Sequence, residues 1–194
     1  ENIDALVTGI ESSSKLPLKE MTAEVWFTID EHDINFAGLL AVQQDGQFCK
    51  RGWSLTYGKV TGGSVGDFSF SFSIALEATF KSSVGGFTIL DFTFPGIVRG
   101  VWNYISVAYN GSSLMLYFAG ADGSMHRVEK QACAQPPCGQ IVYPAAYNIS
   151  NADSCVPGKT PFTVGSFDNK QQAQASAHIG AIKNVKISKR ALSG

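Results

Sequence analysis

The segment Asp67 to Leu76 reads D-F-S-F-S-F-S-I-A-L. Phe68, Phe70, Phe72, Ile74 and Leu76 share one parity, and Ser69, Ser71 and Ser73 share the other. A period of two places the phenyl rings on one face of a β-strand and the hydroxyls on the opposite face. Such a strand needs a second layer to cover its rings. The same period recurs elsewhere. Thr22 to Asp30 puts Ala23, Val25, Phe27 and Ile29 on one face and Glu24 and Trp26 on the other. Val101–Tyr109 and Ser113–Ala119 flank Asn110-Gly111, a pair that favours a tight hairpin because both residues tolerate positive φ. Asp122-Gly123 marks a second reversal, and Phe162–Phe167 and Ile179–Ile187 read as further strands. Alternation slips near Lys183-Asn184, which predicts a bulge. No stretch carries a convincing helical period. Strands separated by turn signals predict an all-β, antiparallel two-sheet jelly-roll sandwich.

A chain of 194 residues suits one domain, 1–194, because sandwiches of this size commonly remain undivided. Residues 131–160 stand apart. They hold three of the four cysteines and four prolines, and read as a Cys/Pro-rich loop insertion. A net charge of −1 supplies no basic face, which argues against nucleic acid as a partner. There is no apolar run of the eighteen or so residues that a membrane-spanning helix needs. With no initiator Met and no signal-peptide pattern at Glu1, the sequence reads as a mature or excised segment.

Cys49, Cys133, Cys138 and Cys155 form no C-x-x-C, and His32, His126 and His178 add no metal-ligand spacing to them. An even count in a chain with only 16% charged residues favours two disulfides in an oxidising compartment. Cys133–Cys138 with Cys49–Cys155 is the expected pairing, since two prolines between 133 and 138 can form a tight loop. The pairings 49–133 with 138–155, and 49–138 with 133–155, stay open. Sequons at Asn110-Gly111-Ser112 and Asn148-Ile149-Ser150 agree with a secreted or cell-surface protein, glycosylated at Asn110 and Asn148.

Several segments, in order, resemble laminin-G-like domains of the concanavalin A-like lectin/glucanase superfamily. Thr22-Ala23-Glu24-Val25-Trp26-Phe27 is similar to their T-x-E-A-W-V strand. Trp102 to Ser112 (W-N-Y-I-S-V-A-Y-N-G-S) resembles W-H-H-V-A-V-T-Y-D-G-S, and Leu114-Met115-Leu116-Tyr117-Phe118 resembles L-K-L-Y-V. Pro161-Phe162-Thr163-Val164-Gly165 and the stretch from Gly180 to Ser193 complete the series. Gly38 to Trp53 is similar to the modules that accompany calcineurin-type phosphoesterases. The resemblance implies a carbohydrate-binding or adhesive module that is not an enzyme. Its partner would be a glycan or an extracellular protein. A protein-interaction module, or an accessory domain of a larger secreted hydrolase or phosphoesterase, is the alternative.

The resemblance also bears on metal. Many such domains hold Ca²⁺ through two acidic positions, which here fall on Thr8 and Lys183. A hydroxyl and a cation are poor replacements for carboxylates. No cofactor is therefore expected at that site, although Asp168-Asn169 is a candidate Ca²⁺ rim site. Glycanases of the superfamily carry E-x-D-x-x-E; Glu31-His32-Asp33 begins that pattern, but Phe36 ends it. Gly62-Gly63-Ser64-Val65-Gly66 satisfies G-x-S-x-G, yet a strand follows it where a nucleophile elbow needs a helix. No catalytic residue is expected. Trp26 and Trp102 lie in strand motifs whose Trp is usually core. Trp53, Tyr57, Tyr143 and Tyr147, nearer turns and the long loop, are the candidate ligand-binding residues.

Overall fold

The computed structural model describes residues 6–11, 16–46, 49–80, 86–143, 161–166 and 177–191. Eleven strands occur among them: β1 (Leu6–Glu11), β2 (Met21–Phe27), β3 (Ala37–Gly46), β4 (Cys49–Lys59), β5 (Phe68–Ala75), β6 (Phe87–Phe94), β7 (Asn103–Tyr109), β8 (Ser113–Ala119), β9 (Met125–Gln131), β10 (Pro161–Val164) and β11 (Ile182–Ser188). One helical turn, α1 (Glu77–Phe80), follows β5. The strands form a six-stranded sheet, β1-β10-β3-β4-β5-β6, and a five-stranded sheet, β11-β2-β7-β8-β9. Every pairing is antiparallel. The expected all-β sandwich is the fold.

The alternation in β5 explains how the layers meet. Phe68, Phe70, Phe72 and Ile74 are fully buried. Phe70 meets Phe118 of β8 at 5.3 Å and Phe27 of β2 at 5.7 Å between ring centroids. Phe94 of β6 lies 4.2 Å from Phe118. Aromatic rings thus join both sheets across the core, each burying a large apolar area.

The turn signals act through different atoms. At the β7–β8 turn only Gly111 takes a positive φ, of 88°. Asn110 instead accepts hydrogen bonds from the backbone N–H groups of Ser112 and Ser113 through Oδ1. Gly123 has φ 79°, and the Asp122 carboxylate caps the Ser124 N–H. The predicted bulge is present: register shifts between Lys183 and Lys186, and Asn184 has φ 53°. β11 is an edge strand, and Lys183 and Lys186 give it the charge that discourages further pairing.

After β9 the chain turns back through a Cys133–Cys138 disulfide with an S–S distance of 2.04 Å. The expected Cys49–Cys155 pair lies outside what is described, as do the structures around Tyr147, Asn148, Asp168 and Asn169.

Candidate functional site

The strand β5 has two faces with different tasks. Its phenyl rings fill the core, while its serines look outward beside the polar parity of β4 and β6. Register places Ser54 opposite Ser73, and Ser73 opposite Ile89. A second row runs Thr56, Ser71, Asp91. Gln43 of β3 and Lys50 of β4 extend the same face. Together these residues line a cleft of about 270 Å³, walled by Phe36, Phe87 and Ile89.

The floor is recessed. Ser54, Thr56, Gln43 and Ser73 are buried, whereas Phe36 and Ile89 are exposed. Small side chains at the centre and large ones at the rim give the sheet face its depth. Gly52 brings β4 close to the backbone of β3 beside Gln43: its φ is +80°, and a Cβ there would lie 1.8 Å from the Val42 carbonyl oxygen. Only glycine allows that approach.

Polar groups in the cleft are unevenly satisfied. The Ser71 hydroxyl donates to Asp91 Oδ1 at 2.5 Å. The Lys50 ammonium sits 5.2 Å above the Phe87 ring. Gln43 is 4% exposed, and its Oε1 has no hydrogen-bond partner among the described residues. A buried acceptor left unpaired is costly unless a ligand or solvent supplies a donor. This cleft can therefore receive a molecule rich in hydroxyl or N–H donors, with apolar contact at the rim.

Three of the four aromatic ligand candidates belong to the core instead. Trp53, Tyr57 and Tyr143 are 0%, 1% and 2% exposed. Trp53 Nε1 donates to the Tyr143 hydroxyl at 3.1 Å, and the Tyr57 hydroxyl bonds with His178 Nδ1 at 2.8 Å. Each polar tip has an internal partner, and with the rings buried none offers a face for a sugar to stack on. Tyr147 lies outside the described residues.

Trp26 and Trp102 depart from expectation in the other direction. Trp26 is 37% exposed on the outer face of the five-stranded sheet. It packs on Tyr104 with centroids 5.4 Å apart. Lys183 Nζ sits 3.8 Å from the Trp102 ring centroid and 5.9 Å from that of Trp26. The Tyr104 hydroxyl donates to Glu24 at 2.7 Å; burial, aided by that carboxylate, pushes it up to about 12. Register continues this row through Ala119 to Met125, which is exposed.

The remaining motifs resolve into loop structure. Glu31 and Asp33 lie between β2 and β3, where Glu31 pairs with Arg99 at 3.3 Å and Asp33 with Lys59. The Asp33 backbone N–H holds the Glu31 carboxyl below its usual value, and the Lys59 hydrogen bond does the same for Asp33. Gly62–Gly66 forms the turn between β4 and β5, with the Ser64 N–H donating to Asp67 Oδ2 at 2.8 Å. Lys183 is in β11 and Thr8 in β1, strands of different sheets. Asn110 is exposed at the tip of its hairpin. Among the described residues, no three His, Cys, Asp or Glu side chains gather as metal ligands, and no helix is long and apolar enough to cross a membrane.

Neither a family model nor a curated protein sequence matches the chain. Solved structures do. The enzymatically active domain of bacteriophage CBA120 tailspike protein 2 superposes with a TM-score of 0.60 at 13% identity, over 99% of this chain and 24% of that one. The CBM40 module of the Ruminococcus gnavus IT-sialidase, bound to α2,3 sialyllactose, gives 0.59 at 14% identity, over 97% and 91%. Its complex with α2,6 sialyllactose gives 0.56 at 16%, over 97% and 92%. This chain spans about a quarter of the tailspike chain. The likeness establishes the β-sandwich fold.

Proposed function

We propose that this chain is an extracellular, lectin-like glycan-binding module of laminin-G-like type, without catalytic activity, and that the cleft on its six-stranded sheet is the binding site. The observation that carries the reading is the unpartnered Gln43 Oε1 at a buried floor of hydroxyl groups. A sugar ring suits this arrangement. Its hydroxyls would supply the donor that Gln43 Oε1 lacks and meet the hydroxyls of Ser54, Thr56 and Ser73, and its C–H faces would meet Phe36, Phe87 and Ile89 at the rim. The small-molecule sites of proteins are generally such concavities with a few placed polar groups. The CBM40 module of similar fold, solved with sialyllactose, supports the ligand class.

The absence of catalysis rests on the acidic residues. Glu31 and Asp33 are each committed to a cation outside the cleft. Asp91 is the one carboxylate among the cleft's lining residues. Glycoside hydrolysis ordinarily uses a pair. In a longer chain the module would then hold a neighbouring domain on its substrate.

A glycan array, followed by calorimetry on the best ligands, tests the reading. Gln43→Leu keeps the side-chain bulk and removes the amide. Binding should fall at least tenfold while the melting temperature changes little. An array without glycan ligands, or full affinity in the Leu variant, refutes the assignment. A second reading has its own observation: the row of exposed Trp26, half-buried Tyr104 and exposed Met125 on the opposite sheet suits a protein partner. It predicts that Trp26→Ala abolishes a protein interaction and leaves glycan binding intact.

A further inference from the structure

The chemistry of the cleft lining also bears on which glycans enter. We infer that the cleft selects neutral sugars over acidic ones, and that Asp91 sets this specificity; the inference rests on the glycan-binding reading above.

Hydrogen-bond polarity favours donors in the ligand. Gln43 Oε1 is a buried acceptor without a donor. Asp91 lies across the same face, on β6, and the Ser71 hydroxyl fixes its Oδ1 at 2.5 Å. An ionised carboxylate only accepts hydrogen bonds. Gln43 Oε1 therefore waits for a ligand donor, and Asp91, exposed at the edge of the cleft, adds a second acceptor. Sugar hydroxyls donate as readily as they accept. The carboxylate of a sialic or uronic acid only accepts, so it would set acceptor against acceptor.

Charge points the same way. Among the lining residues, Lys50 is the single cation and Asp91 the single anion. The Lys50 ammonium is held over the Phe87 ring at the wall. No arginine lines the cleft to grip a carboxylate in two-point fashion. The remaining polar groups are hydroxyls and one amide. An anionic sugar would meet Asp91 with no second cation to offset it, and like charges placed together discriminate strongly against a ligand. The CBM40 module is described with sialyllactose. The lining here implies a different preference on a similar fold.

Calorimetry on matched pairs tests this. The probes are lactose against sialyllactose, and oligomers of galactose and glucose against those of galacturonic and glucuronic acid. The wild-type chain should bind at least one neutral member, with an affinity about tenfold or more above its acidic counterpart. That affinity should hardly change between low and high salt, since a neutral ligand has no charge to screen. Asp91→Asn preserves shape and removes charge. It should raise the affinity for the acidic member about tenfold relative to the neutral one. Circular dichroism and the melting temperature confirm that the variant is folded. A wild-type preference for acidic probes overturns the inference while leaving the glycan reading intact. An unchanged neutral-to-acidic ratio in the Asn variant does the same. Binding to neither class defeats the glycan reading and the inference with it.

Discussion

The Tyr57 hydroxyl and His178 Nδ1 lie 2.8 Å apart inside the sandwich. This contact ties the centre of β4 to the segment that leads into β11, so one hydrogen bond joins elements of both sheets. His178 is 2% exposed, and its ring packs edge-on against Tyr57 at 5.7 Å and Phe27 at 6.5 Å. Burial pushes the imidazole down to about 4, against opposing hydrogen bonds from the backbone and the attraction of Asp30.

A pH dependence follows. The folded chain holds His178 neutral, while the unfolded chain protonates it near its ordinary value of about 6.5. Stability from this group is thus fully present above that value. It is lost as pH falls towards about 4, because the unfolded state takes up the proton first. The full loss is on the order of 3 kcal/mol for a shift of this size. Urea denaturation from pH 7.5 to 4 should show the decline. His178→Gln should be less stable at neutral pH and have a flatter profile across this window. An equally steep decline in the Gln variant would assign the effect to other groups.

Phe118 is the second point of leverage. It touches Phe27, Phe70, Phe92 and Phe94, so it contacts β2, two strands away in its own sheet, and β5 and β6 across the core. Truncating a buried Phe removes transfer energy and leaves a cavity, together about 3–5 kcal/mol. Phe118→Ala should lower the denaturation midpoint by that amount. Phe36→Ala, at the exposed rim of the cleft, should change stability by less than about 0.5 kcal/mol. Equal losses in the two variants would contradict the inside-outside arrangement of the sheets.

What a single sequence reveals depends on whether the signal is local. Phe68 to Leu76 announced a strand because its period lies within nine residues. Asn110-Gly111, Asp122-Gly123 and the slip at Lys183-Asn184 are equally local, and each marks the turn or bulge that forms. Trp53, Leu55 and Tyr57 also alternate, and register sets Trp53 against Val42 and Leu55 against Leu40. Nearness to a presumed turn obscured that pattern and made core rings look like ligand contacts. Trp26 and Trp102 misled in the opposite sense, because Lys183 and Tyr104 give them partners on an outer face. The cleft was less legible still. Ser71 and Ser73 were visible as the polar face of one strand. Their union with Gln43, Thr56 and Asp91 depends on the pairing of four strands, which no one strand encodes.

The Cys133–Cys138 disulfide closes a loop with a sequence separation of only 5. By the loop-entropy rule, so short a closure is worth about 2 kcal/mol. Other bonds hold the same loop: the Cys138 N–H donates to the Gly111 carbonyl at 2.8 Å, and the Tyr109 hydroxyl to that of Gly139 at 2.7 Å. Replacing both cysteines with serine should therefore lower stability by about that amount and leave a folded sandwich by circular dichroism. Collapse of the fold would mean that the bridge organises far more than its own loop.

Lys183 carries the final expectation. It occupies the position where resemblance to laminin-G-like domains places a calcium ligand, yet its ammonium lies over the Trp102 and Trp26 rings. A cation over an exposed aromatic face contributes about 0.5–1 kcal/mol. Lys183→Met keeps the aliphatic stem and removes the charge. It should lower the melting temperature by about 1–4 °C for a domain of this size, and Lys183→Arg should restore most of that loss. Tryptophan emission should shift in the Met variant, since both rings lose a neighbouring charge. With an ammonium already in place, no metal is expected beside it, so EDTA should leave the wild-type melting temperature unchanged. A native-state ligand at one hundred times its Kd stabilises by about 2.7 kcal/mol, so removing such a metal would be conspicuous. If EDTA does lower the melting temperature, Asp168→Ala locates the metal. Loss of the effect in that variant assigns it to the Asp168 rim, whereas persistence points back to the strands that carry Thr8 and Lys183.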